Sequence, residues 1–240
     1  MNLKSIKNRL FGQKNILEKQ VIVANNIEEI KKNFGWKEAP VYERTDIHAF
    51  EYIEDINERR LRDAEVISNV ICNVKAKTVV EIGTSTGMMT VLMSRNSPSS
   101  QIYTINIPPE DIVNGKGGKN TTIALEKAEI GREYKKLKLT NIAQIYENSA
   151  TWEPDIGEIN IAFIDGSHDT DFVYNDTLKI LKNMPSGGFI MWHDFNPSLR
   201  KQFHWIDDVC KGVERLYSRG HIQGRILLLK DSWVGLYRVP

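Results

Sequence analysis

The sequence predicts an α/β protein with a mostly parallel sheet and helices on both of its faces. From residue 56 onward, short apolar runs of strand length alternate with segments whose apolar residues recur at helical spacing. This alternation is typical of strands joined by helical crossovers, which cover both faces of a parallel sheet. The last two runs, Arg225–Leu229 and Trp233–Val239, are separated by a short turn and predict a hairpin. The length of 240 residues suits one full-sized domain with an extension.

The elements of this domain follow in order along the chain. Apolar residues at helical spacing predict a helix over Ile56–Val74. Strands are predicted over five short runs: Thr78–Ile82, Gln101–Ile107, Ile142–Tyr146, Ile159–Ile164 and Phe189–Trp192. Three further helices are predicted: one that begins near Thr86, one with the apolar face Phe172, Val173, Leu178, Leu181 and Met184, and one over Leu199–Ser218. The proline and glycines at 185–188 end the second of these.

Residues 1–55 are predicted to form an irregular N-terminal extension, an arm or a lid, ahead of the domain at 56–240. The extension contains a basic helix, a short apolar run at Val21–Ala24 and an aromatic-rich stretch from Trp36 to Phe50. The apolar face of the basic helix is expected to pack on the domain or on a second subunit, which would make a homodimer. Simple packing of the extension along the surface of the domain fits the aromatic stretch equally well.

The composition excludes several classes of protein. Hydrophobic residues make up 41% and charged residues 26%, which is ordinary globular usage. Thirty-two basic against thirty-one acidic residues leave a charge of +1, so no overall field attracts nucleic acid, and no nucleic-acid partner is expected. The longest apolar runs are about four residues, whereas a membrane-spanning helix needs about 20, so no membrane span is expected.

The cysteines and the N-terminus bear on the cellular compartment. Cys72 and Cys210 are not in a metal-binding or redox spacing, so two reduced and largely buried thiols are expected. The basic N-terminus lacks a continuous apolar segment and a cleavage site, so no secretory signal is predicted. We therefore expect a cytoplasmic protein.

Ligands of an open parallel sheet bind at the carboxyl ends of its strands, so the loops after the strands are the candidate sites. The first such loop is contained in Val79–Gly87, where Glu81 ends a strand and Gly83 and Gly87 permit close approach of a ligand to a helix N-terminus. Neither the dinucleotide fingerprint nor the phosphate-loop pattern fits this stretch. A purely structural turn is the alternative.

Two further strands end in polar residues. Asn106 closes an apolar strand beside the first loop, where it could hold a ribose hydroxyl. Asn148, Ser149 and Ala150 follow another strand and could border a base, with Trp152 as a stacking wall or as ordinary core cover.

The strongest candidate site combines two carboxylates and two imidazoles. Asp165 and His168 follow one buried strand, and His193 and Asp194 follow the next. If these parallel strands are neighbours, the four side chains converge at one sheet edge, which suits a divalent cation or a proton relay. Helix capping or turn formation by the two aspartates is the alternative.

Taken together, these motifs resemble those of the class I S-adenosylmethionine-dependent methyltransferases. Val79–Gly87 is similar to the first motif of that family, an acidic residue followed by glycine, three residues and glycine. The more particular stretches resemble the branch that includes macrolide-sugar O-methyltransferases: Gly131–Tyr134, Asn148–Ala150, Phe163–His168, Asn175–Thr177 and Gly187–Asp194. The likeness covers about Ile56–Val239. It implies a Rossmann-like seven-stranded sheet with an antiparallel last strand, and methyl transfer from S-adenosylmethionine to a hydroxyl of a small molecule, a sugar or glycoside.

The resemblance also implies roles for the cofactor-binding residues. The cofactor loop would be formed by Gly83, Thr84, Ser85 and Gly87. Glu81 would meet the methionine amino group, directly or through water. Asn148, Ser149 and Ala150 would border the adenine. Asn106 stands where relatives carry an acidic residue on the ribose, and Glu110 or Asp111 could compensate.

For the reaction itself, the resemblance implies that Asp165 and Asp194 hold Mg²⁺ and that His168 is the general base. His193, next to Asp194, is expected as a further metal ligand. Phe195 stands where catechol-type relatives have an asparagine, which departs from their metal pattern. Two alternatives remain open: an iron-dependent hydroxylase built on the same four side chains, and a cofactor-binding module without turnover. The acceptor is expected between the sheet edge and the segment from Trp36 to Tyr52, with walls formed by Tyr42, His48 and His204.

Overall fold

The computed structural model describes residues 16–41, 54–120 and 124–240, without the side chains of 54–58. Eight strands are found in this part of the chain: β1 Val21–Ala24, β2 Thr78–Ile82, β3 Gln101–Asn106, β4 Ile142–Tyr146, β5 Ile161–Ile164, β6 Phe189–Trp192, β7 Ile226–Leu229 and β8 Gly235–Arg238. The helices are α1 Ile16–Gln20, α2 Ile27–Phe34, α3 Glu54–Val74, α4 Met88–Asn96, α5 Pro109–Val113, α6 Arg132–Lys136, α7 Thr170–Lys182 and α8 His204–Ser218, with a 3₁₀ turn at Pro197–Leu199.

The strands form one sheet in the order β1-β7-β8-β6-β5-β2-β3-β4. Only β8 is antiparallel, to both β6 and β7, and the remaining neighbours are parallel. The predicted mostly parallel, Rossmann-like sheet with an antiparallel last strand is therefore confirmed.

The sheet contains eight strands, one more than predicted, because part of the N-terminal extension belongs to it. Val21–Ala24 is the strand β1, which pairs in parallel with β7 from Val21 opposite Ile226 to Ala24 opposite Leu229. Helix α2 follows β1 directly, and the side chain of its N-cap, Asn26, accepts a hydrogen bond from the Glu29 N–H. These residues of the extension are thus regular structure rather than the irregular segment predicted. A division of the chain at residue 55 stays a prediction.

Two apolar layers cover the sheet, one on each face, as expected for a sheet whose strands are buried on both sides. Val80 and Ala162 point into the layer formed by α7 and α8, where Ile180 and Val209 are buried. The alternate residues of the same strands, such as Val79, point into the layer formed by α3 and α4. In the described part of the chain, none of the helices combines the length and the apolar character that a membrane crossing requires.

The point at which the strand order reverses lies between β2 and β5. Chain connections run outward in opposite directions from these two strands, which opens a crevice at their carboxyl ends. The Asp165 N–H donates to the Ile82 carbonyl at 2.8 Å, so the two strand ends remain in register up to the first residues of the loops. The loops predicted to carry the chemistry lie at this crevice.

Candidate active site

A cleft of about 650 Å³ occupies the crevice at the strand reversal. Six of the predicted site residues line it: Gly83, Ser85, Asn106, Asn148, Ser149 and Asp165. They come from the ends of four different strands, which the topology places side by side. Four other predicted residues, Glu81, Thr84, Gly87 and Ala150, are not among its lining residues.

The first loop is held in place by backbone contacts and by Asn106. Gly83 has φ +105° and donates its N–H to the Ile105 carbonyl at 2.8 Å. Ser85 has φ +49° and donates its N–H to Asn106 Oδ1 at 3.0 Å. Asn106 Nδ2 in turn donates to the Ile107 carbonyl at 2.9 Å. The amide of Asn106 therefore fastens the loop, and its predicted contact with a ribose stays a prediction.

Glu81 lies behind this loop in a fully buried position. It is 1% exposed, and its Oε2 accepts hydrogen bonds from Thr90 Oγ1 and Thr104 Oγ1, each at 2.5 Å. Burial raises the pKa of this carboxyl to about 8, although the two hydroxyl donors oppose the shift. The predicted contact of Glu81 with a methionine amino group is untested.

The raised pKa of Glu81 has a measurable effect on stability. Between the usual carboxyl pKa and about pH 8, the folded protein holds a proton that the unfolded chain releases, so stability falls as the pH rises through this window. We expect Glu81→Gln to reduce the slope of the free energy of unfolding against pH by up to about 1.4 kcal/mol per pH unit. Urea denaturation at several pH values between 5 and 8 measures this slope. Glu110→Gln, on an exposed residue of α5, is the matched control, and equal slopes in wild type and Glu81→Gln would contradict the assignment.

The loop after β4 is supported from helix α7. Asn148 Oδ1 accepts from the Ala150 N–H at 2.9 Å, and Ser149 Oγ donates to Asp176 at 3.1 Å. Lys179 Nζ donates to the carbonyls of Ser149, Ala150 and Trp152 at 2.7 to 2.9 Å. The sequence analysis gave no role to Asp176, which lies in the quoted stretch Asn175–Thr177, and it missed Lys179, although two charged residues three positions apart on a largely buried helix were a usable signal.

Trp152 is core rather than a wall of the cleft. Its side chain is 4% exposed and belongs to the apolar layer beneath α7 and α8. Of the two roles that the sequence left open, the structure favours core packing.

The four predicted acid and imidazole side chains converge beside the cleft. His193 Nδ1 lies 2.9 Å from Asp165 Oδ1 and 3.5 Å from Asp194 Oδ2. His168 Nε2 lies 3.1 Å from Asp194 Oδ2 and 3.6 Å from Asp165 Oδ1. One ligand atom from each side chain falls within 4.8 Å of all the others. We call these four residues the acid–imidazole cluster.

Electrostatics within the cluster follow from this proximity. Although burial opposes the change, the neighbouring His193 holds the pKa of Asp194 below its usual range. Burial also opposes the change in His193, but Asp165 and Asp194 hold its pKa well above the usual value. Asp194 adopts φ +51°, a left-handed conformation that is uncommon for residues other than glycine and that costs free energy.

The cluster fits a divalent cation. Both ring nitrogens of His168 and Nδ1 of His193 are buried without a well-directed hydrogen bond, despite the short distances to the carboxylates. Nitrogen and oxygen atoms that converge on a common point without bonding one another are the arrangement of a ligand set. Two imidazoles suit Mn²⁺, Fe²⁺ or Zn²⁺ better than Mg²⁺, which prefers oxygen ligands.

A second, larger and open cleft, of about 2850 Å³, lies on the other side of the cluster. Its lining includes His168, His193 and Asp194 together with Arg59 and three aromatic side chains, Phe203, Trp205 and Trp233. The ring centroids of Phe203 and Trp205 are 4.9 Å apart, and those of Phe203 and Trp233 are 5.3 Å apart. Of the predicted wall residues, Tyr42 and His48 lie outside the described residues, and the exposed His204 is not in this lining.

Comparison with known proteins agrees with this geometry. A family model described as a methyltransferase domain matches residues 80–195. This range runs from β2 to the residue after Asp194, so it includes the loops after β2, β4 and β5 and the start of the loop after β6. Over these residues, just under half of the chain, the sequence is similar to a methyltransferase domain. A search of curated proteins finds no match to this chain.

Solved structures share the fold of this chain at low sequence identity. The O-methyltransferase NovP has a TM-score of 0.58 at 13% identity, over 98% of each chain. The S-adenosylhomocysteine-bound methyltransferase PaMTH1 of Podospora anserina has a TM-score of 0.53 at 17% identity, over 91% of this chain and 98% of its own. An O-methyltransferase of Bacillus cereus in complex with S-adenosylhomocysteine has a TM-score of 0.50 at 14% identity, over 88% of this chain and 87% of its own.

Proposed function

We propose that this methyltransferase transfers a methyl group from S-adenosylmethionine to a hydroxyl of a small molecule, a sugar or a glycoside. The observation that carries this proposal is the position of the acid–imidazole cluster between the two clefts. Asp165 lines the smaller cleft, while His168, His193 and Asp194 line the larger one. Solved structures of the same fold, titled O-methyltransferases, support methylation at oxygen.

The smaller cleft is the proposed donor site. S-adenosylmethionine supplies a methyl group on a positively charged sulfur and becomes S-adenosylhomocysteine on transfer. The loop around Gly83 and Ser85 would bind one end of this molecule, and Asn148 and Ser149 would border the other. Holding donor and acceptor in line can contribute about 7–11 kcal/mol of the barrier, so orientation is the main task of these loops.

The acceptor hydroxyl has to lose its proton at the cluster. His168 Nε2, which faces Asp194 at 3.1 Å, is the proposed general base, and such a base contributes about 10²–10⁴-fold in rate. Although burial opposes it, the nearby carboxylates of Asp165 and Asp194 raise the pKa of His168 above its usual value. A divalent cation held by Asp165, His193 and Asp194 would supply positive charge that favours the deprotonated hydroxyl.

The aromatic wall of the larger cleft supports a ring-shaped acceptor. Phe203, Trp205 and Trp233 are half-buried in the lining of this cleft, and the apolar face of a sugar or phenol ring would pack on their exposed parts. The open cleft has room for a glycoside larger than one ring.

Calorimetry and a turnover assay test this function separately. We expect S-adenosylhomocysteine to bind with measurable heat both before and after exhaustive chelation, because the smaller cleft shares only Asp165 with the cluster. We expect labelled S-adenosylmethionine to methylate members of a glycoside and phenol panel, with turnover at least about 10-fold lower after chelation.

Four outcomes would contradict parts of the proposal. No heat with S-adenosylhomocysteine would overturn the donor site. Full turnover after chelation would show that the reaction needs no divalent cation. Iron-dependent oxygen uptake without methyl transfer would favour a hydroxylase, and donor binding without methylation of any panel member would favour a module without turnover.

A further inference from the structure

A buried acid that was not among the predicted site residues contacts the acid–imidazole cluster at Nε2 of His193. Asp63 lies on α3 and is only 3% exposed. Its Oδ1 accepts hydrogen bonds from Ser232 Oγ and from the Trp233 N–H, each at 2.7 Å. Its Oδ2 lies 3.3 Å from His193 Nε2 and 3.3 Å from Arg59 Nη1.

The His193 ring is therefore placed between two carboxylates. Nε2 faces Asp63, whereas Nδ1 faces Asp165 at 2.9 Å and lies within the cluster. An ionised carboxylate only accepts hydrogen bonds, so the nitrogen that faces Asp63 has to carry the hydrogen. In a neutral ring the other nitrogen, Nδ1, then keeps its lone pair for a ligand in the cluster.

Arg59 is the competing partner of His193. Its Nη1 lies 3.4 Å from His193 Nε2 and would donate to that nitrogen if it were unprotonated. Arg59 already has an acceptor in Asp63 Oδ2, and its guanidinium lies 4.2 Å from the Trp233 ring centroid. The carboxylate can accept from both groups at once, so hydrogen on Nε2 gives Asp63 Oδ2 a donor in His193 as well as one in Arg59 Nη1.

We propose that Asp63 is a positioning residue that holds hydrogen on Nε2 of His193 and thereby presents Nδ1 to a divalent cation in the acid–imidazole cluster. The inference rests on the cation of the proposed function. Partners of this kind behind a metal-binding histidine typically change metal affinity by 10–100-fold when they are replaced.

Asp63→Asn tests this role without a change of shape. Ser232 and Trp233 both require an acceptor, which keeps the amide oxygen on their side. The amide NH₂ then faces His193 Nε2 and demands a lone pair there, which moves the hydrogen to Nδ1 inside the cluster. Ser232→Ala is the matched control, because it removes a hydrogen bond from the opposite oxygen and leaves the His193 contact in place.

The experiment is a calorimetric titration of the full chain with Mn²⁺. We expect Asp63→Asn to bind Mn²⁺ 10–100-fold more weakly than wild type, and Ser232→Ala to bind it within about 3-fold. In a His193→Ala background, Asp63→Asn is expected to have no further effect, because Asp63 acts through that ring. Wild-type affinity in Asp63→Asn, or an equal loss with and without His193, would overturn the proposal.

A second measurement needs no variant and decides the matter if Asp63→Asn fails to fold. Long-range ¹⁵N–¹H NMR spectra of the Zn²⁺-loaded wild-type protein identify which nitrogen of His193 carries hydrogen. Hydrogen on Nε2 is the expected result, and hydrogen on Nδ1 would overturn the proposal in favour of the Arg59 contact. A wild-type protein that binds S-adenosylhomocysteine but no Mn²⁺ or Zn²⁺ would refute this inference and leave the donor site intact.

Discussion

Asp194→Asn is expected to lower the rate of methyl transfer by at least about 10²-fold and to leave the affinity for S-adenosylhomocysteine within a few-fold. One oxygen of Asp194 lies 3.1 Å from His168 Nε2 and 3.5 Å from His193 Nδ1, so its charge acts on both imidazoles of the cluster. The amide keeps the shape but removes the charge and one cation ligand. General-base catalysis of this kind is worth about 10²–10⁴-fold, and loss of a cation ligand would add to the effect.

Turnover and donor binding are measured on the same preparation of Asp194→Asn. Asp171→Asn is the matched control, since Asp171 is exposed on α7 and pairs with Arg215 away from both clefts. Turnover within threefold of wild type would show that the cluster takes no part in the reaction. Loss of S-adenosylhomocysteine binding as well would show that the variant damages the fold rather than the chemistry.

Gly83→Ala is expected to lower the free energy of unfolding by roughly 2–6 kcal/mol and to abolish binding of S-adenosylhomocysteine. A Cβ atom at this position would lie 2.0 Å from the Asp165 carbonyl oxygen, which is backbone and cannot turn aside. Steric overlap in a packed region costs about 1–3 kcal/mol, and a strained positive φ such as the +105° found here costs about 1–3 kcal/mol more. The loop after β2 and the first residue of the turn after β5 would have to move apart.

Urea denaturation with Gly157→Ala as control separates these two costs. Gly157 also has positive φ, +74°, but an added Cβ would meet nothing within 4 Å. Its replacement should therefore cost only the conformational strain, about 1–2 kcal/mol. Equal destabilisation of the two variants would show that the close approach of β2 and β5 is not what requires glycine at position 83.

The regular elements of the domain were predictable because each carries its own local signal. The bounds of β2, β4 and β6 agree residue for residue with the apolar runs Thr78–Ile82, Ile142–Tyr146 and Phe189–Trp192. Strand β1 has the same kind of run, Val21–Ala24, yet it lay in a segment predicted to be irregular. Its partner is β7, more than 200 residues away, and no local pattern shows that β7 has a free edge.

The candidate site also has one part that could be predicted from the sequence and one part that could not. The residues at the carboxyl ends of strands could be predicted, because parallel strands bring those ends to one edge. Asp63 and Arg59 were missed because charged residues four positions apart on an amphipathic helix usually indicate a solvent-exposed face. In the folded chain they are instead turned towards His193 and Trp233, two residues from distant loops.

By itself the sequence determined the α/β class, most strand positions, the methyltransferase motifs and the four members of the acid–imidazole cluster, because these depend on local periodicity and on residue types at strand ends. The tertiary structure decided which groups meet. It placed Glu81 behind the loop that follows β2, Asn106 on the Ser85 N–H, and Asp63 against His193. Hydrogen bonds and charge contacts of this kind depend on distances between residues far apart in the chain, which only the packing of helices on the sheet establishes.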